Sequence, residues 1–223
     1  SRGIQPHVYA IVESNHVDKF AVDYFCNGDA KLKEAMDIII SELHDAKEYG
    51  SILTVTSQDW SALYDRFAEI GEDINISRET ALSELLPLVQ VAEALAQKYD
   101  AVVTNPPYMA VSNAGGKVNE YVKKTFPEAK ADLFAVFMEK GLSMLNKTGL
   151  QAMITQQAFL FTPSFAKFRD KVVTDRLVNL IHIGFNSFPE LNSKVALGAA
   201  LVMCAIAYQD YEARCLDLNS RYP

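Results

Sequence analysis

The second half of the chain alternates between two periodicities. Apolar, β-branched runs at residues 101–104, 150–155 and 178–184 are separated by stretches with helical spacing at 132–145 and 164–174. Strands that alternate with helices of this length build a parallel sheet with helices packed against it. The predicted fold class is therefore α/β, with a mostly parallel sheet and helices on both faces. Near the end, two apolar runs at 177–185 and 199–207 are joined by a loop too short to hold a crossover helix. That connection predicts an antiparallel strand pair at a sheet edge. Residues 214–223 read either as a ragged terminus or as the beginning of a further region.

The first 98 residues follow a different rhythm. Residues 7–13 and 51–56 are short and β-rich, which predicts two strands. Between them Leu32, Ala35, Met36, Ile39, Ile40 and Leu43 keep a 3.6 period, which predicts a helix over 29–49 stopped by Gly50. Ser57 or Asp59 can cap a helix through Trp60, Leu63, Phe67 and Ile70 that Gly71 ends. A long amphipathic helix follows from Ala81 to Leu95 despite Pro87. The domain reading is a mainly helical part at 1–98, an α/β part at 99–213 and a terminal segment at 214–223.

Composition narrows the partners. With 49% hydrophobic and 22% charged residues the chain can bury a core, and its formal net charge of -7 argues against a protein that coats nucleic acid generally. Any contact with DNA must be local, and the lysines Lys117, Lys123, Lys124 and Lys130 offer one such place. No apolar run reaches the roughly 20 residues of a membrane span, so the expectation is a cytoplasmic protein with no membrane partner. Cys26, Cys204 and Cys215 are odd in number and lack ligand spacing, which predicts thiols and no metal centre.

The chemistry lies in Asn105, Pro106, Pro107 and Tyr108, immediately after the strand at 101–104. Ligands in open α/β sheets bind beyond the carboxyl ends of strands. Two successive prolines remove amide donors and leave carbonyl acceptors on a stiff backbone, and the residue before a proline is held extended, which aims the Asn105 amide. A corner of acceptors followed by an aromatic ring suits the exocyclic amine of a flat base. If the Asn105 oxygen and the Pro106 carbonyl each accept one amine hydrogen, the nitrogen lone pair is freed to attack a methyl group. Tyr108 would stack on the extruded base.

These residues fall in a longer pattern. Residues 99–108 (YDAVVTNPPY), 130–137 (KADLFAVF) and 149–156 (GLQAMITQ) together resemble consecutive motifs of adenine-specific DNA methyltransferases, in particular the large methylases of BREX phage-defence systems and the methylase parts of type IIG restriction enzymes. The resemblance implies a Rossmann-like, class I fold that uses S-adenosylmethionine, double-stranded DNA as substrate, and other subunits of a restriction-modification or BREX complex as partners. By the same likeness Asn105, Pro106, Pro107 and Tyr108 are catalytic, and Asn105 and Asp132 touch the methyl donor. Tyr108, Phe126, Lys123, Lys124 and Lys130 would face the target base or DNA, although Phe126 reads equally as an apolar loop anchor. His182, in an apolar strand, is expected to be a satisfied core histidine, and residues 186–194 form a loop that either approaches DNA or simply connects two strands.

One departure from the family is plain. Its Gly-rich loop and ribose-holding acid have no match in residues 1–104, where Gly28, Gly50 and Gly71 stand isolated. The expectation is a piece of a longer protein, unable to methylate by itself. Two alternatives stay open: a methyltransferase acting on protein glutamine or ribosomal RNA, which share the turn, and a non-catalytic module that docks partners or DNA.

Overall fold

The computed structural model describes residues 3, 5–184 and 197–218. It divides into two compact units, Ser1–Gln97 and Lys98–Pro223. Among its described residues the first unit is helical, with α1 (Lys19–Cys26), α2 (Ala30–Glu42), α3 (Ala46–Tyr49), α4 (Trp60–Gly71) and α5 (Ile76–Ala96). Four of these helices begin on a side-chain oxygen that takes an otherwise orphaned N–H: Asp18 from Phe20, Asp29 from Lys31 and Leu32, Asp59 from Ala62, and Asn75 from Ser77. Their apolar stripes close over a fully buried core that includes Phe25, Met36, Ile39, Leu63, Ile70 and Leu85. The long helix runs through Pro87 without ending there, as its periodicity predicts.

The helix predicted over 29–49 is broken in the middle. After α2 ends at Glu42, Asp45 adopts a left-handed φ of 57° and α3 starts behind it. Asn15 accounts for the break, because its side chain donates to Asp45 Oδ1 at 2.9 Å and accepts from the Asp45 N–H at 2.8 Å. Periodicity on one segment cannot reveal a partner 30 residues away. Gly50, expected as the stop, does follow the helix and takes a φ of 61°. Neither 7–13 nor 51–56 forms a strand. A strand needs a ladder partner, and these segments lead instead into bonds with the α2 region: Ser14 with the Ile40 and Leu43 carbonyls, Thr56 with the Glu42 carboxylate.

The second unit contains β1 (Tyr99–Thr104), α6 (Gly116–Thr125), α7 (Leu133–Ser143), β2 (Leu145–Gln156), α8 (Ala158–Phe161), α9 (Ala166–Phe168), β3 (Leu177–Gly184), β4 (Gly198–Cys204) and β5 (Arg214–Asp217). The sheet order is β1-β2-β4-β3-β5. β1 pairs with β2 in parallel and β5 with β3 in parallel, whereas β4 is antiparallel to both neighbours. Among the described strands, four therefore run one way and β4 opposes them. The α/β class holds, and the sheet is mixed: two of its four described strand pairings are parallel and two antiparallel. The antiparallel pair β3 and β4 also forms, but inside the sheet rather than at its edge, because the stretch read as a terminus supplies β5 outside β3.

Residues 146–149 form a bulge within β2: Tyr99 pairs with Leu145 and Ala101 with Leu150. Glycine is required at 149, since a Cβ there would meet the Tyr99 carbonyl oxygen at 2.9 Å. α7 covers one face of β2, where Gln151, Met153 and Thr155 are buried. Phe134 of α7 meets Phe159 of α8 and then Phe165, with ring centroids 6.3 and 5.4 Å apart, so helices before and after β2 share that face. Helices were expected on both faces. Within this unit the opposite face presents Val103, Leu150, Ile154 and Ile181, which are 38–77% exposed. The helix predicted at 164–174 becomes a succession of 3-10, α, π and 3-10 turns from Pro163 to Arg176. The Arg169 side chain ties this run to the turn before it, donating to the Phe159 and Thr162 carbonyls at 2.8 and 2.9 Å.

Candidate active site

Since β1, β2, β3 and β5 run the same way, their carboxyl ends open on one edge of the sheet. Asn105 stands there, one residue past the end of β1. Its neighbour Pro106 is buried and anchors the corner, while Asn105 itself and Pro107 are exposed and Tyr108 is half-buried. Asn105 also lines a hollow of about 380 Å³ on the open sheet face, together with Val103, Ile154, Ile181 and Ala200. Asn105 thus stands exposed beside a hollow and is not locked in the interior.

Tyr108 does more than the sequence suggested. Its hydroxyl donates to Asn105 Oδ1 at 3.2 Å, which orients the carboxamide with its oxygen toward the ring. Burial pushes the Tyr108 hydroxyl above its ordinary value, so the group stays protonated and keeps its donor role at neutral pH.

Asp132 holds the exit of the turn. Its Oδ1 accepts from the Met109 N–H at 3.1 Å and, as the N-cap of α7, from the Phe134 N–H at 3.2 Å. Around it the Leu133 N–H donates to the Met109 carbonyl at 2.9 Å and the Val111 N–H to the Ala131 carbonyl at 3.3 Å, forming a short bridge between Ala110 and Asp132. Burial raises the Asp132 carboxyl and outweighs the N–H groups of Phe134, Met109 and Leu133, which lower it. Asp132 is the residue expected to touch the methyl donor, and its Oδ1 is committed to the backbone.

Of the other predicted residues, Lys123 and Lys124 lie exposed in the last turn of α6 and Lys130 is exposed in the following loop. Phe126 is 4% exposed and meets Tyr121 edge-on at 6.2 Å, so it anchors the loop and cannot stack on a base. His182 is satisfied, as expected, but it is half-buried rather than in the core, and its partners are polar: Nδ1 faces Asp217 Oδ1 at 3.1 Å and Nε2 faces Gln157 Oε1. Sequence reasoning missed both partners because 35 and 25 residues separate them from the histidine. The loop 186–194 lies outside the described residues. Among those described, no group of three His, Cys, Asp or Glu side chains could hold a metal ion, and no helix is long and apolar enough to cross a membrane.

An α/β sheet with an Asn-Pro-Pro-Tyr corner at a strand tip agrees with what sequence comparison finds. The chain belongs to the Eco57I restriction-modification methylase family, whose match covers residues 25–188. It is 35% identical over 162 residues to the adenine-specific methyltransferase BrxX of Escherichia coli O9:H4 (strain HS), which is 71% of this chain and 13% of that protein. It is 31% identical over 171 residues to the adenine-specific methyltransferase PglX of Lacticaseibacillus casei (strain Zhang), covering 74% of this chain and 14% of the relative. The chain therefore spans about one seventh of the length of these two proteins. Among solved structures, DrdV in complex with DNA aligns with a TM-score of 0.43 at 17% identity, over 62% of this chain and 16% of that one.

Proposed function

We propose that this chain carries the amine-gripping corner of an adenine-N6-specific DNA methyltransferase that uses S-adenosylmethionine in restriction-modification or phage defence. The observation that supports it most is the exposed Asn105 carboxamide at the carboxyl end of β1, oriented by Tyr108 beside an open hollow. Membership of the family and the names of BrxX and PglX point the same way.

In the proposed reaction the amine of a flipped-out adenine presents its two hydrogens to Asn105 Oδ1 and to the Pro106 carbonyl oxygen. The nitrogen lone pair, otherwise delocalised into the ring, is then localised and directed away from both acceptors. S-adenosylmethionine supplies an electrophilic sulfonium methyl. As positive charge grows on the amine, the two fixed oxygen dipoles stabilise it, an effect of roughly 3–4 kcal/mol per well-placed group. Of the two residues assigned to the donor, Asn105 fits, whereas Asp132 Oδ1 is committed to the loop. At the reacting end of the donor the described residues thus offer the exposed Asn105.

The Tyr108 ring stacks on the base, at about 1–3 kcal/mol for a base on an aromatic side chain. Its hydroxyl aims the acceptor before substrate arrives and yields it when the amine binds. Tyr108→Phe keeps the ring and removes the aim, so kcat/KM for duplex DNA should fall about fivefold, the worth of one neutral hydrogen bond of ~1 kcal/mol. An unchanged kcat/KM would remove this role from the hydroxyl.

The assignment itself is tested by incubating the full-length protein with radiolabelled S-adenosylmethionine and, separately, duplex DNA, ribosomal RNA and protein substrates. Label should appear as N6-methyladenine in DNA. Incorporation into protein or RNA, with none in DNA, would overturn it.

A further inference from the structure

Residues 166–173 form one continuous helical run in which Phe168, Val172 and Val173 are buried and Lys167 and Lys171 are exposed. The two lysines are four residues apart and both are exposed, away from the buried Phe168, Val172 and Val173. Lys171 Nζ donates to Glu128 Oε1. Glu128 sits in the loop that joins α6 to α7, two residues before Lys130 and a few after Lys123 and Lys124 at the end of α6. The ion pair thus brings the cations of a distant helix to the region that already carries three lysines. Lys171, Lys167 and Lys130 together hold the Glu128 carboxyl below its ordinary value, with the Lys171 hydrogen bond the largest cause. The acids beside them are the exposed Glu120 of α6, Glu128, the exposed Asp170 and Glu139, whose half-buried carboxyl is raised by desolvation.

This patch stands out in a chain of net charge -7. It also borders the candidate corner, because the same loop ends at Asp132, which bonds to Met109 just past Tyr108. We infer that Lys123, Lys124, Lys130, Lys167 and Lys171 form a phosphate-binding surface for the backbone of duplex DNA, with the Lys171–Glu128 pair limiting its charge. The inference rests on the DNA reading of the corner and adds Lys167 and Lys171, which only the folded chain brings to this loop. Clustered lysines bind phosphates by displacing counterions, so the affinity they supply falls steeply with salt.

The test measures fluorescence anisotropy of a labelled duplex of about 20 base pairs, titrated with the 223-residue chain over a series of salt concentrations. Lys167→Gln with Lys171→Gln should weaken binding and lower the slope of log affinity against log salt by about 2, close to one for each phosphate that is no longer neutralised. Glu128→Gln, which frees Lys171 and deletes a negative charge, should tighten binding and steepen the slope. A lysine patch that is only solvated surface would leave both variants at the wild-type value, and that result overturns the inference. So does a wild-type chain that leaves the duplex free, or one that prefers an RNA duplex of the same length. Because the readout is binding and not methyl transfer, a failed patch is distinct from a failed assignment of the methylated substrate.

Discussion

Asn105→Ala in the full-length protein is expected to cut kcat for DNA methylation by roughly 10²–10³-fold, the cost of losing one preorganised acceptor at a centre that gains charge in the transition state. The fold should hardly notice. Asn105 is exposed, and its side chain accepts from a neighbour only three residues on, so the change belongs with surface substitutions worth about ±0.5 kcal/mol. Circular dichroism melting alongside single-turnover methyl transfer separates the two effects. The loss should fall on kcat rather than KM, because the amide works hardest once the amine carries positive charge. A variant that turns over at the wild-type rate would strip Asn105 of its role, and one that melts far earlier would make it a structural residue.

Asp132→Ala is expected to lower both stability and turnover, for a reason that starts in the backbone. Losing the N-cap of α7 costs about 0.5–2 kcal/mol. The Met109 N–H also loses its acceptor, and because that bond is exposed to water the loss is one net hydrogen bond, about 0.5–1.5 kcal/mol. Together roughly 1–3.5 kcal/mol should disappear from the unfolding free energy in urea. Turnover should fall with it, since Met109 follows Tyr108 directly and its tether sets where the corner ends. Asp132→Asn provides the contrast. It keeps an oxygen for both N–H groups and removes a carboxylate that burial already disfavours, so its stability should stay within ~1 kcal/mol of wild type. If Asn is as damaging as Ala, the charge rather than the acceptor matters, and a role toward substrate returns.

The candidate corner was legible because its signal is local. Four consecutive residues at the end of a strand carry their own geometry: prolines restrict φ whatever surrounds them, and the strand before them shows in its β-branched run. The parallel direction of β1 and β2 was legible for a related reason, since the helices between them leave no other short route. The broken helix at Asp45 and the polar partners of His182 depended on pairs 25 to 35 residues apart, which no window of hydrophobic spacing reports. Phe126 shows the same limit in reverse. An aromatic residue near a site looks like a stacking ring until burial shows that it holds the loop down.

What the amino-acid order decided alone, then, is the local chemistry: caps, strand and helix periods, and a proline-stiffened set of acceptors at 105–108. What only the folded chain decided is which distant groups meet. β5 takes the sheet edge, Asp132 clamps Met109, and Lys171 reaches Glu128, 43 residues away. The physical reason is range. Backbone sterics and capping act over a few residues and are written in the order of neighbours, whereas hydrogen bonds and ion pairs across the fold exist only after packing has offset their conformational entropy.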